Sequence, residues 1–271
     1  TNGAVTGRMT HSHPNVAQVP SAKSEYGPEC RGLFGVPKGF QLVGCDADGL
    51  ELRVLAHYMA VLDKGVYANA VVKGEKKLGT DAHTLNMKAV GLLSRDTAKT
   101  WLYAYIYGAG DAKLGNIMAE DLKLVKSEFV AGRNSRKNFE TKVPALGALV
   151  RRVKRAVKTK GFLKGLDGRQ LPSRSEHSAL NTLLQSAGAV VMKRALVILD
   201  DACQALGLIP GIDYEFVANV HDEFQIQTKE VHVPKVKTLA ENSIREAGEF
   251  YKFRCDLAGS ADAGDTWADT H

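Results

Sequence analysis

Three groups of residues have types and spacing that can do chemistry. Asp46 ends an apolar run, QLVGCD (residues 41 to 46), and Glu51 lies just inside the following LELRVLAHYMAVLD (residues 50 to 63). A carboxylate at the end of a buried strand is desolvated and needs a partner, a proton or a metal; on this segment alone Asp46 and Asp48 read equally well as turn and helix-capping residues. Arg95, Lys99 and Tyr103 recur at i, i+4 and i+8 in RDTAKTWLYAYIYGAG (residues 95 to 110). On a helix they form one strip of two cations and a phenol, while Ala98, Trp101, Leu102 and Tyr105 form an apolar stripe on another face. Such a strip suits a polyphosphate, because Arg binds oxygens bidentately and Lys supplies a compact charge. A solvated face with a structural tyrosine has the same spacing. Lastly, Asp222 and Glu223 sit in NVHDEF (residues 219 to 224), among Val217, Val220, Phe224 and Ile226, which read as a buried strand. In a hairpin of period two these acids point to opposite faces and cannot do the same job. If Asp222 faces Asp46 across a sheet, the pair is repulsive unless divalent cations sit between, and hard oxygen ligands favour Mg²⁺. A surface hairpin with two exposed acids is the alternative, which the apolar neighbours disfavour.

The elements that must position these residues follow from periodicity. Residues 1 to 39, rich in Gly, Pro, Ser and His, predict an extended segment laid over the rest. QLVGCD is a strand, and residues 50 to 63 have helical spacing after a tight turn. From about 81 to 160 the pattern is mostly helical: a short segment around His83, the helix from Arg95 to Tyr107 ended by Gly108 and Gly110, then two basic helices. GAGDAKLG lacks the glycine spacing and the preceding strand of a dinucleotide fingerprint. KGLDGRQLPSR (residues 164 to 174) carries the DG pair of a hairpin turn. A long helix is expected from His177 to about Leu206, then two short strands reversing near Val220 to Glu223, a helix from about 232 to 249, and a tail ending at His271.

Composition limits the setting. A chain of 271 residues with 44% hydrophobic content buries a real core, as one large domain or two smaller ones. Its four cysteines form no CxxC pair and no zinc spacing, which points to a reduced intracellular protein. No uninterrupted apolar run reaches bilayer length, so neither secretion nor membrane insertion is expected. The net charge of +6 and pI near 9.0 agree with a polyanionic partner. RRVKRAVKTK (residues 151 to 160) holds six cations in ten residues, either a phosphate-backbone contact or a solvated helix face.

In combination these stretches resemble a known family. DADGLELRVLAH, RDTAKTWLYAYIYG and VHDE are similar to the A, B and C motifs of family A DNA polymerases, the class of bacterial DNA polymerase I. TGRMTHSHPNVAQVP, GLELRVLAHYMA, KGLDGR and HSALNTLLQSAGA resemble the replicative polymerases of short-tailed (T7-like) phages, and the likeness spans nearly the whole chain.

The resemblance implies an α+β fold, the right-hand polymerase architecture: a palm built on an antiparallel sheet with helices, formed by residues 1–63 and 179–271, and helical fingers at residues 64–178. Only seven residues precede Arg8, so the thumb and exonuclease domains are expected to be absent, with a separate polypeptide as their candidate supplier. The resemblance further implies a template-directed DNA polymerase in phage replication, with primer–template DNA and dNTPs as partners, in the cytoplasm of a bacterial host. Asp46 and Asp222, with the Ala47 backbone carbonyl, would bind two Mg²⁺ ions, and Glu223 would stand beside them. Arg95, Lys99 and His83 would hold the triphosphate, with Lys99 protonating pyrophosphate. Glu51 matches the steric gate against a ribose 2′ hydroxyl, and Tyr107 the tyrosine over the template base. Tyr103, where some members have Phe, would accept dideoxynucleotides readily. Arg8, Gln185 and His221 match residues that read the primer terminus and minor groove. Asp48 departs from the family, which usually has a small polar residue there; a helix cap is the favoured role. The rivals are a single-subunit phage RNA polymerase, disfavoured by Glu51 and the HDE triplet, and a non-catalytic nucleic-acid-binding subunit, which has no need of facing carboxylates.

Overall fold

The structure, a computed structural model, describes residues 3–123, 127–173 and 175–270. The two ends of the expected terminal segments and Arg174, the last residue of the expected DG hairpin, lie outside the described residues. In chain order the elements are α1 (Gly27–Gly32), β1 (Phe40–Ala47), α2 (Leu50–Asp63), α3 (Val66–Lys73), α4 (Ala82–Val90), α5 (Arg95–Ile106), α6 (Asp111–Leu122), α7 (Glu128–Lys142) and α8 (Pro144–Lys160). There follow β2 (Phe162–Lys164), β3 (Gln170–Pro172), α9 (Ala179–Ala205), β4 (Tyr214–Val220), β5 (Glu223–Lys229), α10 (Val233–Phe250) and β6 (Gly259–Gly264). They form two compact units: Thr1–Leu50 with Ser186–His271, and Glu51–Gln185. The palm and fingers divisions that the resemblance implies fall at 63 and 178.

The first unit is built on a four-stranded antiparallel sheet of order β4-β5-β1-β6. The register of β1 on β5 runs from Phe40 opposite Lys229 to Asp46 opposite Glu223. Side chains alternate, so Val43, Cys45, Phe224 and Ile226 share one face and are fully buried. That face receives α10, whose Val236, Ala240, Ile244 and Ala247 are also fully buried. Each large apolar side chain sealed there contributes about 1.5–3 kcal/mol, so Ile244→Asp would break the packing. Val217, expected to be buried, is 49% exposed: β4 is an edge strand with a bulge between Phe216 and Ala218 that turns it outward.

The other sheet face carries Leu42, Gly44 and Asp46 on β1 and Glu223 and Gln225 on β5. It too is covered, which a period-two pattern does not foretell. The expected tail contains β6, paired from Leu42–Gly264 to Ala47–Gly259, and continues to Trp267 and Thr270 against this face. A Cβ on Gly44 would collide with Gln225 and Thr270, so only glycine fits. The N-terminal segment is laid over the sheet as expected: His11 Nε2 bonds Asn219 O at 2.7 Å, Val36 N donates to Asp265 O at 3.2 Å, and Trp267 N donates to Phe34 O at 2.9 Å. It also includes the short helix α1.

The second unit is helical apart from the β2–β3 hairpin, which forms around the expected DG turn with Gly168 at φ +86°. Three helices, α6 to α8, stand where two were expected, because Gly110 starts a new helix immediately after Gly108, at φ +79°, ends α5. Trp101, stacked on Tyr105 at 5.4 Å and edge-on to Phe139 at 5.0 Å, anchors this core. The cations of residues 151 to 160 lie on the outer side of α8, which buries Leu149, Val153 and Val157. α9 passes, by length and composition, as able to cross a membrane; its 18-residue window has mean hydropathy 1.4, and 61% of that window is buried inside the protein. Such burial is the pattern of a core helix, and Lys193 and Arg194 interrupt its apolar run.

Candidate active site

In the first unit, the strand ends bring the sequence-selected acids together. Ala47 N donates to Asp222 O at 3.0 Å, which sets residue 222 beside the end of β1. Asp46, the next-to-last residue of β1, is exposed, and Asp222 is half-buried. Asp222 lies in the two-residue turn that joins β4 to β5, not on the ladder; only Glu223 is a strand residue, opposite Asp46. His221, the first turn residue, takes φ +59°. Glycine is favoured at such a position, and histidine is among the residues that adopt it more readily than most.

The surroundings of this turn are charged. Burial pushes the His221 imidazole below its ordinary value, Arg8 adds to the effect, and Asp222 opposes it. Arg8, Lys193 and His221 line one small cleft. Asp48 accepts from Ser260 Oγ at 2.7 Å, a tie from the β1–α2 turn to β6. Glu223 is 5% exposed, and its Oε1 accepts from Trp267 Nε1 at 2.7 Å and from Gln225 Nε2.

The donor set fits a hard divalent cation of the Mg²⁺ kind. Among the described residues no group of three or more His, Cys, Asp and Glu is gathered to hold an ion. Two carboxylates and nearby backbone oxygens at an exposed strand end leave coordination positions for water and substrate phosphates, as Mg²⁺ prefers; they do not make a zinc or calcium cage.

In the second unit, α5 presents the predicted strip. Ala98, Trp101, Leu102 and Tyr105 are buried as expected, while Arg95 and Tyr103 are half-buried and Lys99 is exposed. Ser94 Oγ caps the helix by accepting from Thr97 N at 3.2 Å, and Asp121 accepts from the Leu93 and Ser94 amides. Arg95 is held by Asp81: its Nε and Nη2 reach Asp81 Oδ1 at 3.0 and 2.8 Å. Asp81 also caps α4 through the His83 and Thr84 amides. Burial works to raise the Asp81 carboxyl, but hydrogen bonds from Thr84 and Arg95 outweigh it and hold the group at about 2. His83 shares this environment: burial lowers its imidazole below 6.5, and Arg95 and then Lys99 push the same way. Arg95 and Lys99 are thus close enough to His83 for their charges to act on its imidazole, while Asp81 pairs with Arg95.

Further along α5, Tyr107 Oη donates to Glu51 Oε2 at 2.9 Å, and the Tyr103 and Tyr107 rings stand 6.4 Å apart. Gln185, on α9, is half-buried in this unit. Asp81 was missed in the sequence, although an acid preceding a helical start is a readable cap signal. Trp267, Gln225 and Arg31 carried no pattern that marks them.

These features define the class. The chain matches the profile of DNA polymerase family A over residues 1–269 and belongs to that family. It is 39% identical over its full length to the DNA-directed DNA polymerases of Enterobacteria phage T3 and Escherichia phage T7, and 31% identical over 91% of its length to DNA polymerase I of Aquifex aeolicus. The chain spans about 40% of the length of these curated relatives. Its fold is similar to the POL domain of Pol1 from M. smegmatis, solved in complex with DNA primer-template and dNTP, with a TM-score of 0.78 at 22% identity, covering 98% of this chain and 47% of that one. Polymerases of this family generally use divalent metal ions.

Proposed function

We propose that the chain carries the nucleotidyl-transfer centre of a template-directed DNA polymerase, adding dNTPs to a primer 3′ hydroxyl with release of pyrophosphate. The observation that supports this most is the Ala47 N to Asp222 O bond at 3.0 Å, which joins the turn acid to the end of the strand bearing Asp46. In this reading residues 1–63 and 179–271 are palm, and residues 64–178 are fingers. Two Mg²⁺ ions held by Asp46, Asp222 and the Ala47 carbonyl would lower the pKa of the primer hydroxyl and neutralise charge on the leaving group.

The chain's own residues do the rest. Arg95, Lys99 and His83 bind the triphosphate oxygens. Lys99, exposed and without an ion pair among the described residues, donates the proton that pyrophosphate takes as it leaves. Glu51 leaves no room for a 2′ hydroxyl, and Tyr107 stands where the template base is read. Tyr103 supplies its phenol to the sugar edge of the nucleotide. Arg8, Gln185 and His221 contact the primer terminus and minor groove, where acceptors occupy similar places on every correct pair. Glu223, bonded to Trp267 and Gln225, supports the acids from behind. The chain would work in the cytoplasm of a bacterial host.

The test is extension of an annealed primer with Mg²⁺ and either dNTPs or rNTPs. Template-dictated incorporation of dNTPs is expected; incorporation of rNTPs in preference would favour an RNA polymerase instead.

A further inference from the structure

Two polar side chains on β5 face away from solvent. Glu223 and Gln225 are 5% and 2% exposed, on the sheet face that the C-terminal segment covers. A buried carboxylate is costly unless strong donors satisfy it. Here Glu223 Oε1 accepts from both Trp267 Nε1 and Gln225 Nε2, and Gln225 Oε1 accepts in turn from Thr270 Oγ1 at 3.0 Å. Trp267 is itself clamped. The Arg31 guanidinium lies 4.3 Å from its ring centroid, and Phe34 meets it edge-on at 5.5 Å. Arg31 is buried and tied by Nε to Pro20 O at 2.9 Å, so the cation cannot swing away freely. A guanidinium on the face of an indole is attracted by the ring, offsets the buried carboxylate charge, and makes the indole N–H a better donor.

We propose that Trp267 is a positioning residue for the acid pair: its indole N–H fixes Glu223, which stands opposite Asp46 in the register and next to Asp222, and Arg31 acts through Trp267. The inference rests on reading Asp46 and Asp222 as the metal-binding pair. The N-terminal segment, the C-terminal segment and the acid-bearing hairpin are thereby joined into one chain of contacts, Pro20 to Arg31 to Trp267 to Glu223. Without the indole donor the buried Glu223 carboxylate loses a strong partner and resettles, and displacements near 1 Å at a reacting centre cost on the order of 100-fold in rate.

Trp267→Phe keeps the ring and deletes the donor. The expected result is a loss in kcat of about 10- to 100-fold and a comparable rise in the Mg²⁺ concentration for half-maximal activity, with the KM for dNTP within about twofold of wild type. A merely structural role would lower the amount of folded protein without that split. Arg31→Leu acts in the same direction more weakly, and the double variant is no worse than Trp267→Phe alone, the non-additivity of two residues on one path. A second readout needs no activity. The chain has two tryptophans, hence two indole N–H resonances in ¹H–¹⁵N spectra; Mg²⁺ titration moves the one absent from Trp267→Phe, and moves neither in Asp222→Ala.

Wild-type kcat and Mg²⁺ dependence in Trp267→Phe, with a wild-type enzyme that extends primers, overturns the proposal. A wild-type chain that extends no primer overturns the polymerase reading instead. Should Trp267→Phe not fold, the titration on unaltered protein decides: two indole resonances that both stay fixed as Mg²⁺ is added overturn the role of Trp267.

Discussion

Tyr107, at the C-cap of α5, donates its phenol proton to Glu51 Oε2 across 2.9 Å. The carboxylate proposed for sugar selection is thus engaged by the tyrosine proposed for the template base. Glu51→Ala is expected to raise use of rNTPs relative to dNTPs by about 10- to 200-fold, the range a single steric contact provides. Tyr107→Phe removes one hydrogen bond worth about 1 kcal/mol and should change the ratio less than tenfold. Ratios of kcat/KM for paired dNTP and rNTP substrates measure both; an unchanged ratio in Glu51→Ala would remove it from sugar selection.

Tyr103 is half-buried one turn before Tyr107 on the same strip. Its phenol can supply the hydrogen bond that a missing sugar 3′ hydroxyl would otherwise make. Wild-type chain should therefore incorporate dideoxynucleotides readily, and Tyr103→Phe should discriminate against them by about tenfold or more, one lost bond to a charged or polar partner. Competition between dideoxy and deoxy substrates reads this directly, and equal discrimination in the two proteins would refute the assignment.

Asp81 holds Arg95 and caps α4 at once. Asp81→Ala should cost about 1 kcal/mol from the lost cap alone, a fall in Tm of about 2–4 °C for a chain of this size, and should raise the KM for dNTP as Arg95 loses its anchor. The carboxyl is held at about 2 in the folded chain, below its unfolded value near 4. Its contribution to stability is therefore complete above about pH 4 and is lost as pH falls from about 4 to about 2. Thermal melts of wild type and variant across that window should converge; curves that stay parallel would contradict the assignment.

His83 should be neutral at pH 7, because burial, Arg95 and Lys99 all hold it below 6.5. With the folded value below the unfolded one, stability is full above 6.5 and falls as pH drops through that value toward the folded one. A triphosphate bound to the same face reverses the local field and should raise the imidazole. NMR titration of the ring protons with and without dNTP would show it, and an imidazole indifferent to nucleotide would not belong to the phosphate site.

Much of this was legible in the sequence, for identifiable reasons. The β1–α2 unit, α5 with its buried stripe, the hairpin of β4 and β5, and α10 all follow from apolar spacing, since each has one face against a core. β6 was not legible: GSADAG is poor in the branched and aromatic residues that mark strands, and it is small because Gly259 lies against Ile244 and Gly264 against Asp269. The reversal between Val220 and Glu223 was legible, but the positive φ at His221 was not, because it has no sequence signal at a histidine. The partner of Glu223 was not legible, because Trp267 lies 44 positions away, beyond any local pattern. The third helix after α5 was lost because Gly110 reads as a helix end and serves as a helix start.

Asp222 carries the central claim, and its replacement tests that claim most directly. Primer extension and pyrophosphate release are to be measured on a templated primer with Mg²⁺ and dNTPs, using wild type and Asp222→Ala side by side at matched folding by thermal melt. Wild type should extend the primer as the template dictates, and the variant should lose about 1,000-fold or more of that rate, several kcal/mol of transition-state stabilisation. A folded Asp222→Ala protein that extends at the wild-type rate would contradict the account.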